Sequence, residues 1–91
     1  MRYFDWDEEK NRRLKKERSV GFEEVQLAVK EGRMLDAFDH PNQKRYPNQK
    51  IMVVEISDYV HLVPYVKEGS RIFLYTIIPS RKATRKYLRS K

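Results

Sequence analysis

Phe22, Val25, Ala28 and Val29 recur at spacings of three and four, and beyond Arg33 the apolar repeat falls to two. The first spacing predicts a short helix with one buried face, ending near Gly32, and the second predicts strands. Upstream, residues 7 to 18 read as a polar helix. Asp7, Glu8 and Glu9 fill its first turn and Lys15, Lys16 and Arg18 its last, the charge order that the helix macrodipole favours. Glu8 with Arg12 and Glu9 with Arg13 stand four apart with the acid first, a spacing that contributes about 0.3–0.5 kcal/mol per pair. Trp6, Lys10 and Leu14 make a narrow inward stripe, with the Trp6 indole as an anchor of the core. The N-terminal third is thus expected to be a helical hairpin.

Met34 to Phe38 predicts a first strand, closed by the turn formers and proline of Asp39-His40-Pro41-Asn42-Gln43. Lys50 to Ile56 is β-branched and apolar on both faces. Ser57-Asp58 turns the chain, Tyr59 to Lys67 returns, Glu68-Gly69 turns it again, and Arg71 to Ile78 completes a meander. In the Tyr59 strand one face carries Tyr59, His61, Val63 and Tyr65 and the other Val60, Leu62, Pro64 and Val66; the second is expected to pack on the helices. Pro64, without an N–H for the ladder, predicts a bulge or an edge. After Pro79-Ser80 comes a short basic helix. The fold class is α+β: a helical hairpin on one face of a twisted antiparallel sheet of about four strands, in a single domain over residues 1–91.

The 91 residues are enough for a core that buries about 60% of the unfolded chain's surface. Six Tyr, four Phe and one Trp in a chain that is 40% hydrophobic argue for a folded domain despite 36% charged residues. The absence of cysteine removes disulfides, thiolate zinc sites and a Cys nucleophile, and His40 and His61 are too few to expect a metal. No cofactor is expected. No apolar run approaches the roughly 18 residues of a membrane span, and the N-terminus lacks a signal-peptide stretch, so the expected location is the cytoplasm. The net charge of +7 is concentrated: residues 71–91 hold seven Lys or Arg and no acid, while the first seventy residues balance. Such a patch attracts polyanions through counterion release, and nucleic acid is the first partner it suggests.

Three segments carry a resemblance. Phe4-Asp5-Trp6-Asp7-Glu8-Glu9-Lys10 opens the chain, Val20-Gly21-Phe22-Glu23-Glu24-Val25 leads into the second helix, and Ile77-Ile78-Pro79-Ser80-Arg81-Lys82-Ala83 lies near the end. In this order and spacing they resemble the BrnT toxins, across nearly the whole chain. The resemblance implies a RelE-like fold and a toxin of a bacterial type II toxin–antitoxin pair that cleaves mRNA, in association with the ribosome, and so inhibits translation. It also implies neutralisation by a ribbon-helix-helix antitoxin, with operator DNA reached only through that partner. The chain departs from the family pattern at Glu17-Arg18, where the family has Lys-His, and at Lys50 and Glu55, where it has arginine and glycine. Lys50 keeps the charge and loses the bidentate fork.

Metal-independent RNA cleavage needs a base for the 2′-hydroxyl proton, cations for the charge at phosphorus, and a donor at the leaving oxygen. The candidates are Arg81 at the start of the last helix and Lys50 at the start of the central strand, which the meander is expected to bring to one end of the sheet. A guanidinium beside first-turn N–H groups can hold two phosphate oxygens. His61 and Tyr65 share a strand face and are the candidate proton carriers or base-stacking groups. Arg81, Lys82, Arg85, Lys86 and Arg89 form the expected RNA-binding run. Each has a plainer alternative: His61 and Tyr65 as packing residues, the basic run as a solvated face. Asp39-His40 is explained by turn chemistry. A second function therefore stands beside the first, that of an inactive toxin-like module that binds nucleic acid or antitoxin and modulates operator binding.

Overall fold

The computed structural model describes residues 3–88, and it departs from the sequence pattern first at the N-terminus. Tyr3–Trp6 is a strand, β1, and it lies parallel to Arg71–Leu74 (β5), with Trp6 in register with Leu74. Trp6 is a core residue as expected, but of the sheet and not of the first helix: its ring stacks on Phe22 with centroids 5.6 Å apart. Asp7 then caps α1 (Glu8–Arg18), its carboxylate accepting the Lys10 N–H at 3.1 Å. The inward positions of α1 are Asn11 and Leu14, and Lys10 is half-exposed. Glu8 accepts hydrogen bonds from the Trp6 indole and from Asn11.

Helix α2 (Phe22–Lys30) follows after a three-residue link. Gly21 and Glu24 exchange reciprocal bonds at its start, Glu24 N–H to the Gly21 carbonyl and Gly21 N–H to the Glu24 carboxylate. A Cβ on Gly21 would lie 2.5 Å from Lys15 Cε, 2.9 Å from Glu23 Oε1 and 3.0 Å from Asn11 Oδ1, so a larger residue there would displace the side chains that tie the two helices together. Asn11 ties the junction from the α1 side, accepting the buried Phe22 N–H at 2.8 Å.

The remaining elements are β2 (Met34–Asp39), β3 (Gln49–Ile56), β4 (Tyr59–Glu68), β5, β6 (Ile78–Pro79) and α3 (Arg81–Leu88). The strands form one mixed six-stranded sheet in the order β1-β5-β4-β3-β2, with β6 also on β4. It has more strands than the four expected, for two reasons. The N-terminal strand is added in parallel, and the last strand of the meander is split. Pro64 explains the split. Its carbonyl accepts the Tyr75 N–H at 2.9 Å, so its nitrogen faces the same neighbour and has no hydrogen to return, and the ladder lapses over residues 75–77 before β6 resumes opposite Leu62 and His61. The Ile77 carbonyl left over is taken by Arg18 Nη1 at 2.7 Å.

Both faces of the sheet are covered, which corrects the expectation of helices on one face. Met52, Val54, Ile56 and Val63 pack with Leu14, Phe22, Val25 and Ala28 of α1 and α2, joined by Tyr65. On the other side Val53, Val60 and Leu62 pack against Ala83, Tyr87 and Leu88 of α3. The assignment of faces is therefore the reverse of that expected for β4: the Tyr59, His61, Val63 and Tyr65 face lies under α1 and α2. Alternation alone identifies two faces and cannot say which helices cover each.

Candidate active site

Two hydrogen bonds join the start of helix α3 to β4, one of them through the Thr84 hydroxyl. Thr84 Oγ1 donates to the Ser80 carbonyl at 2.8 Å and accepts the Val60 N–H at 2.8 Å, while the Ser80 N–H reaches the Val60 carbonyl at 3.0 Å. Ser80 also caps the helix, its Oγ accepting the Ala83 N–H at 3.0 Å. The N–H groups of Arg81 and Lys82 at the first turn have no partner within the helix. This arrangement aims one edge of α3 at the start of β4. Tyr59, Arg81, Thr84 and Arg85 line a cavity of about 190 Å³ there.

Tyr59 also lines a second cavity of about 300 Å³, shared with Arg18, Ser19, Val20, Glu24, Ile56, Ser57 and His61. Tyr59, at the start of β4, is thus a wall of both cavities. The Ser57-Asp58 turn sets this position: both residues have positive φ, 55° and 61°, as a tight hairpin demands, and they place Tyr59 directly after the bend. Tyr59 and His61 meet edge to face at 5.8 Å, and Pro79, two residues before Arg81, is the register partner of His61.

His61 is buried at 8% exposure, and burial is the main cause that pushes its pKa below the ordinary 6.5, partly offset by its bond to the Tyr59 carbonyl and by the Glu24 carboxylate. A carbonyl only accepts, so the 3.1 Å contact of Nδ1 with Tyr59 O places the ring proton on Nδ1 and leaves Nε2 with its lone pair. At neutral pH this imidazole is an uncharged base on the wall of a cavity.

Of the described residues singled out in the sequence, Arg81, Arg85 and His61 share a cavity wall with Tyr59, and Lys50, Tyr65, Lys82 and Lys86 do not. Lys50, the second residue of β3, stands opposite Tyr65, six residues from the Ile56–Tyr59 pair, or about 20 Å along the strand. It lies at the far end of the sheet and on the α1/α2 face, held by Asp39 at 2.7 Å, and that contact raises its pKa. The expectation that the meander joins Lys50 to Arg81 is corrected: β3 and α3 meet the site end through Ile56 and Arg81, and Lys50 is at the other terminus of its strand. Tyr65 is half-buried against the main core. Lys82 and Lys86 line a different groove, on the sheet side of α3. Arg89 lies outside the described residues. Among the described residues no three His, Cys, Asp or Glu side chains gather as ligands for one ion, and no helix is long and apolar enough to cross a membrane.

Sequence reasoning overlooked Tyr59, Arg18 and Glu24. The turn at Ser57-Asp58 was legible and located the end of β4, but the approach of the α1–α2 junction to that end depends on tertiary packing.

A model of one protein family, described as the ribonuclease toxin BrnT of type II toxin–antitoxin systems, matches residues 6–86. No curated protein and no solved structure matches the chain.

Proposed function

The chain belongs to the BrnT family of ribonuclease toxins from type II toxin–antitoxin systems, and from that premise we propose that it cleaves mRNA without a metal at the end of the sheet around Tyr59. Family membership brings an RNA substrate and an antitoxin partner. The observation that carries the finer reading is that Tyr59 is a wall of two cavities, one with His61 and the other with Arg81 and Arg85.

In this reading His61 Nε2 takes the proton of the ribose 2′-hydroxyl. The 2′ oxygen attacks phosphorus, the bond from phosphorus to the 5′ oxygen breaks, and the products are a 2′,3′-cyclic phosphate and a 5′-hydroxyl. Arg81 and Arg85 stand one helical turn apart and hold the non-bridging oxygens, whose charge grows as the pentavalent centre forms. The Tyr59 hydroxyl donates the proton to the departing 5′ oxygen. An unstacked base rests on the Tyr59 ring. The reading extends to translating ribosomes in the cytoplasm as the place of action, to inhibition of translation as the consequence, and to a ribbon-helix-helix antitoxin as the inhibitor.

The test is cleavage in EDTA, on free RNA and on translating ribosomes, by wild type, His61→Gln and the double variant Arg81→Ala, Arg85→Ala, each verified as folded. Cuts ending in cyclic phosphate that the variants lose support the assignment. A folded wild type that binds RNA or antitoxin and makes no cuts on either substrate would sink it in favour of the non-catalytic module.

A further inference from the structure

The basic run of α3 serves two surfaces. Arg81 and Arg85 face Tyr59, whereas Lys82 and Lys86 border a groove of about 180 Å³ whose other walls are Phe38, Val53, Leu62, Ala83 and Tyr87. The groove has an extended apolar floor. Val53 of β3 pairs with Leu62 of β4, and Leu62 with Ile78 of β6, so one row of apolar side chains crosses three strands on the α3 side of the sheet. On the edge strand β2 the register partner of Val53 is Asp36, and Phe38, paired with Ile51, lies on the same face one row along. Helix α3 covers only part of this row, and Phe38 and Ile78 remain 40% and 42% exposed. Asp36, on the same face, is occupied by the Tyr87 hydroxyl at 2.7 Å and the Ala37 N–H at 2.8 Å.

We propose that this groove is a docking site for the antitoxin, and that it receives a segment in which large apolar side chains alternate with acids. The volume lies below the about 300 Å³ at which small-ligand pockets begin, and suits the anchor side chain of a protein partner. Two ammonium groups at the border favour acids around that anchor, because a like charge brought to them is repelled and an opposite one is attracted. RNA could use the two cations and stack on Phe38 or Tyr87, but the aliphatic floor of Val53, Leu62 and Ala83 fits an apolar anchor side chain better than a base. The occupant thereby binds beside α3 and holds the helix that carries Arg81 and Arg85. This inference rests on the antitoxin partner that family membership supplies and not on the cleavage chemistry, so each can fail alone.

Phe38 permits a charge-swap test on the intact chain, because it is exposed on an edge strand and remote from the Tyr59 site. The cognate antitoxin is titrated against wild type, Phe38→Glu and Phe38→Lys, with circular dichroism and RNA cleavage as folding controls. The expected result is a dissociation constant raised at least about tenfold by Phe38→Glu, the loss of an anchor plus a repulsive charge, and raised distinctly less by Phe38→Lys, with both controls unchanged. Equal affinity in all three proteins overturns the proposal. So does an RNA affinity that falls with Phe38→Glu and rises with Phe38→Lys while antitoxin binding stays constant, which assigns the groove to nucleic acid. A wild type that sediments as a dimer dispersed by Phe38→Glu, with antitoxin affinity unaltered, assigns it to a second copy of the chain.

Discussion

Thr84 supplies, from a helix, the acceptor that the backbone N–H of Val60 would otherwise find in a neighbouring strand, at 2.8 Å and with both groups buried. The same hydroxyl closes on the Ser80 carbonyl. Thr84 therefore helps to seat α3 on β4, together with the Ser80 N–H to Val60 carbonyl bond, and so to direct Arg81 and Arg85.

Thr84→Val keeps the shape and removes the hydroxyl, so the Val60 N–H is left buried without a partner. The expected loss is about 1–3 kcal/mol, a fall in Tm of several degrees in a chain this small. RNA cleavage should decline more steeply than stability alone explains, because the arginines shift with the helix. Thermal melts beside cleavage rates at a temperature where the variant is folded separate the two effects.

Arg81→Ala should lower cleavage by about 10²–10³-fold, the scale on which one charge-stabilising donor acts in a transition state. Arg81→Lys should recover only part, since an ammonium replaces a two-pronged donor with a point charge. Single-turnover rates on a defined RNA measure both, and equal rates for wild type and Arg81→Ala would remove Arg81 from the mechanism.

His61 gives a pH dependence whose sign follows from its depressed pKa. As a base it works uncharged, so the rate should hold as pH falls past 6.5 and drop only through the lower folded value; His61→Gln should abolish this acid limb together with about 10²–10⁴ of the rate. Stability follows the same direction. Folding favours the neutral ring, so its contribution is complete above the unfolded value near 6.5, is lost as pH falls from there toward the folded value, and is constant below both. Denaturant melts from pH 7.5 to 5 should show that decline in wild type and lack it in His61→Gln.

Lys50→Ala should leave cleavage within about twofold of wild type, since the Lys50 ammonium lies about 20 Å of strand from Tyr59 and is engaged with Asp39. A large loss on this substitution would mean that RNA must span the length of the sheet.

Asn11→Ala tests the junction of the first two helices. Phe22 would lose the acceptor for its buried N–H, at a cost of about 1–3 kcal/mol. Glu23, whose pKa is lowered chiefly by its hydrogen bonds from Asn11 and less by Lys15, should titrate higher in the variant, which NMR of the carboxyl carbons can follow.

Much of the fold was legible in local chemistry. The acids of the first turn of α1, the three-and-four spacing from Phe22 to Ala28, the Ser57-Asp58 bend and the break at Pro79-Ser80 before α3 each act over a few residues, and each stands close to where the pattern placed it. Asn11 was not legible, because nothing in its neighbourhood reveals that the start of α2 needs an acceptor. The candidate site was visible in part. Arg81, Arg85 and His61 could be singled out by type and position, while Lys50 was joined to them on the assumption that strand starts converge.

By itself, then, the sequence determined that helices precede a meander, which segments of the meander are strands, that both faces of β3 are apolar, and that cations crowd the last helix, because periodicity, turn conformations and capping are short-range effects. Only the tertiary structure decided that Tyr3–Trp6 joins the sheet in parallel, that α3 covers the face opposite α1 and α2, and that Lys50 and Arg81 stand apart. These depend on pairings between residues distant along the chain, such as Trp6 with Leu74, Arg18 with Ile77 and Val60 with Thr84. Strand order and the choice of face follow from which buried polar groups find partners once the chain has closed on itself, and no local window contains both partners.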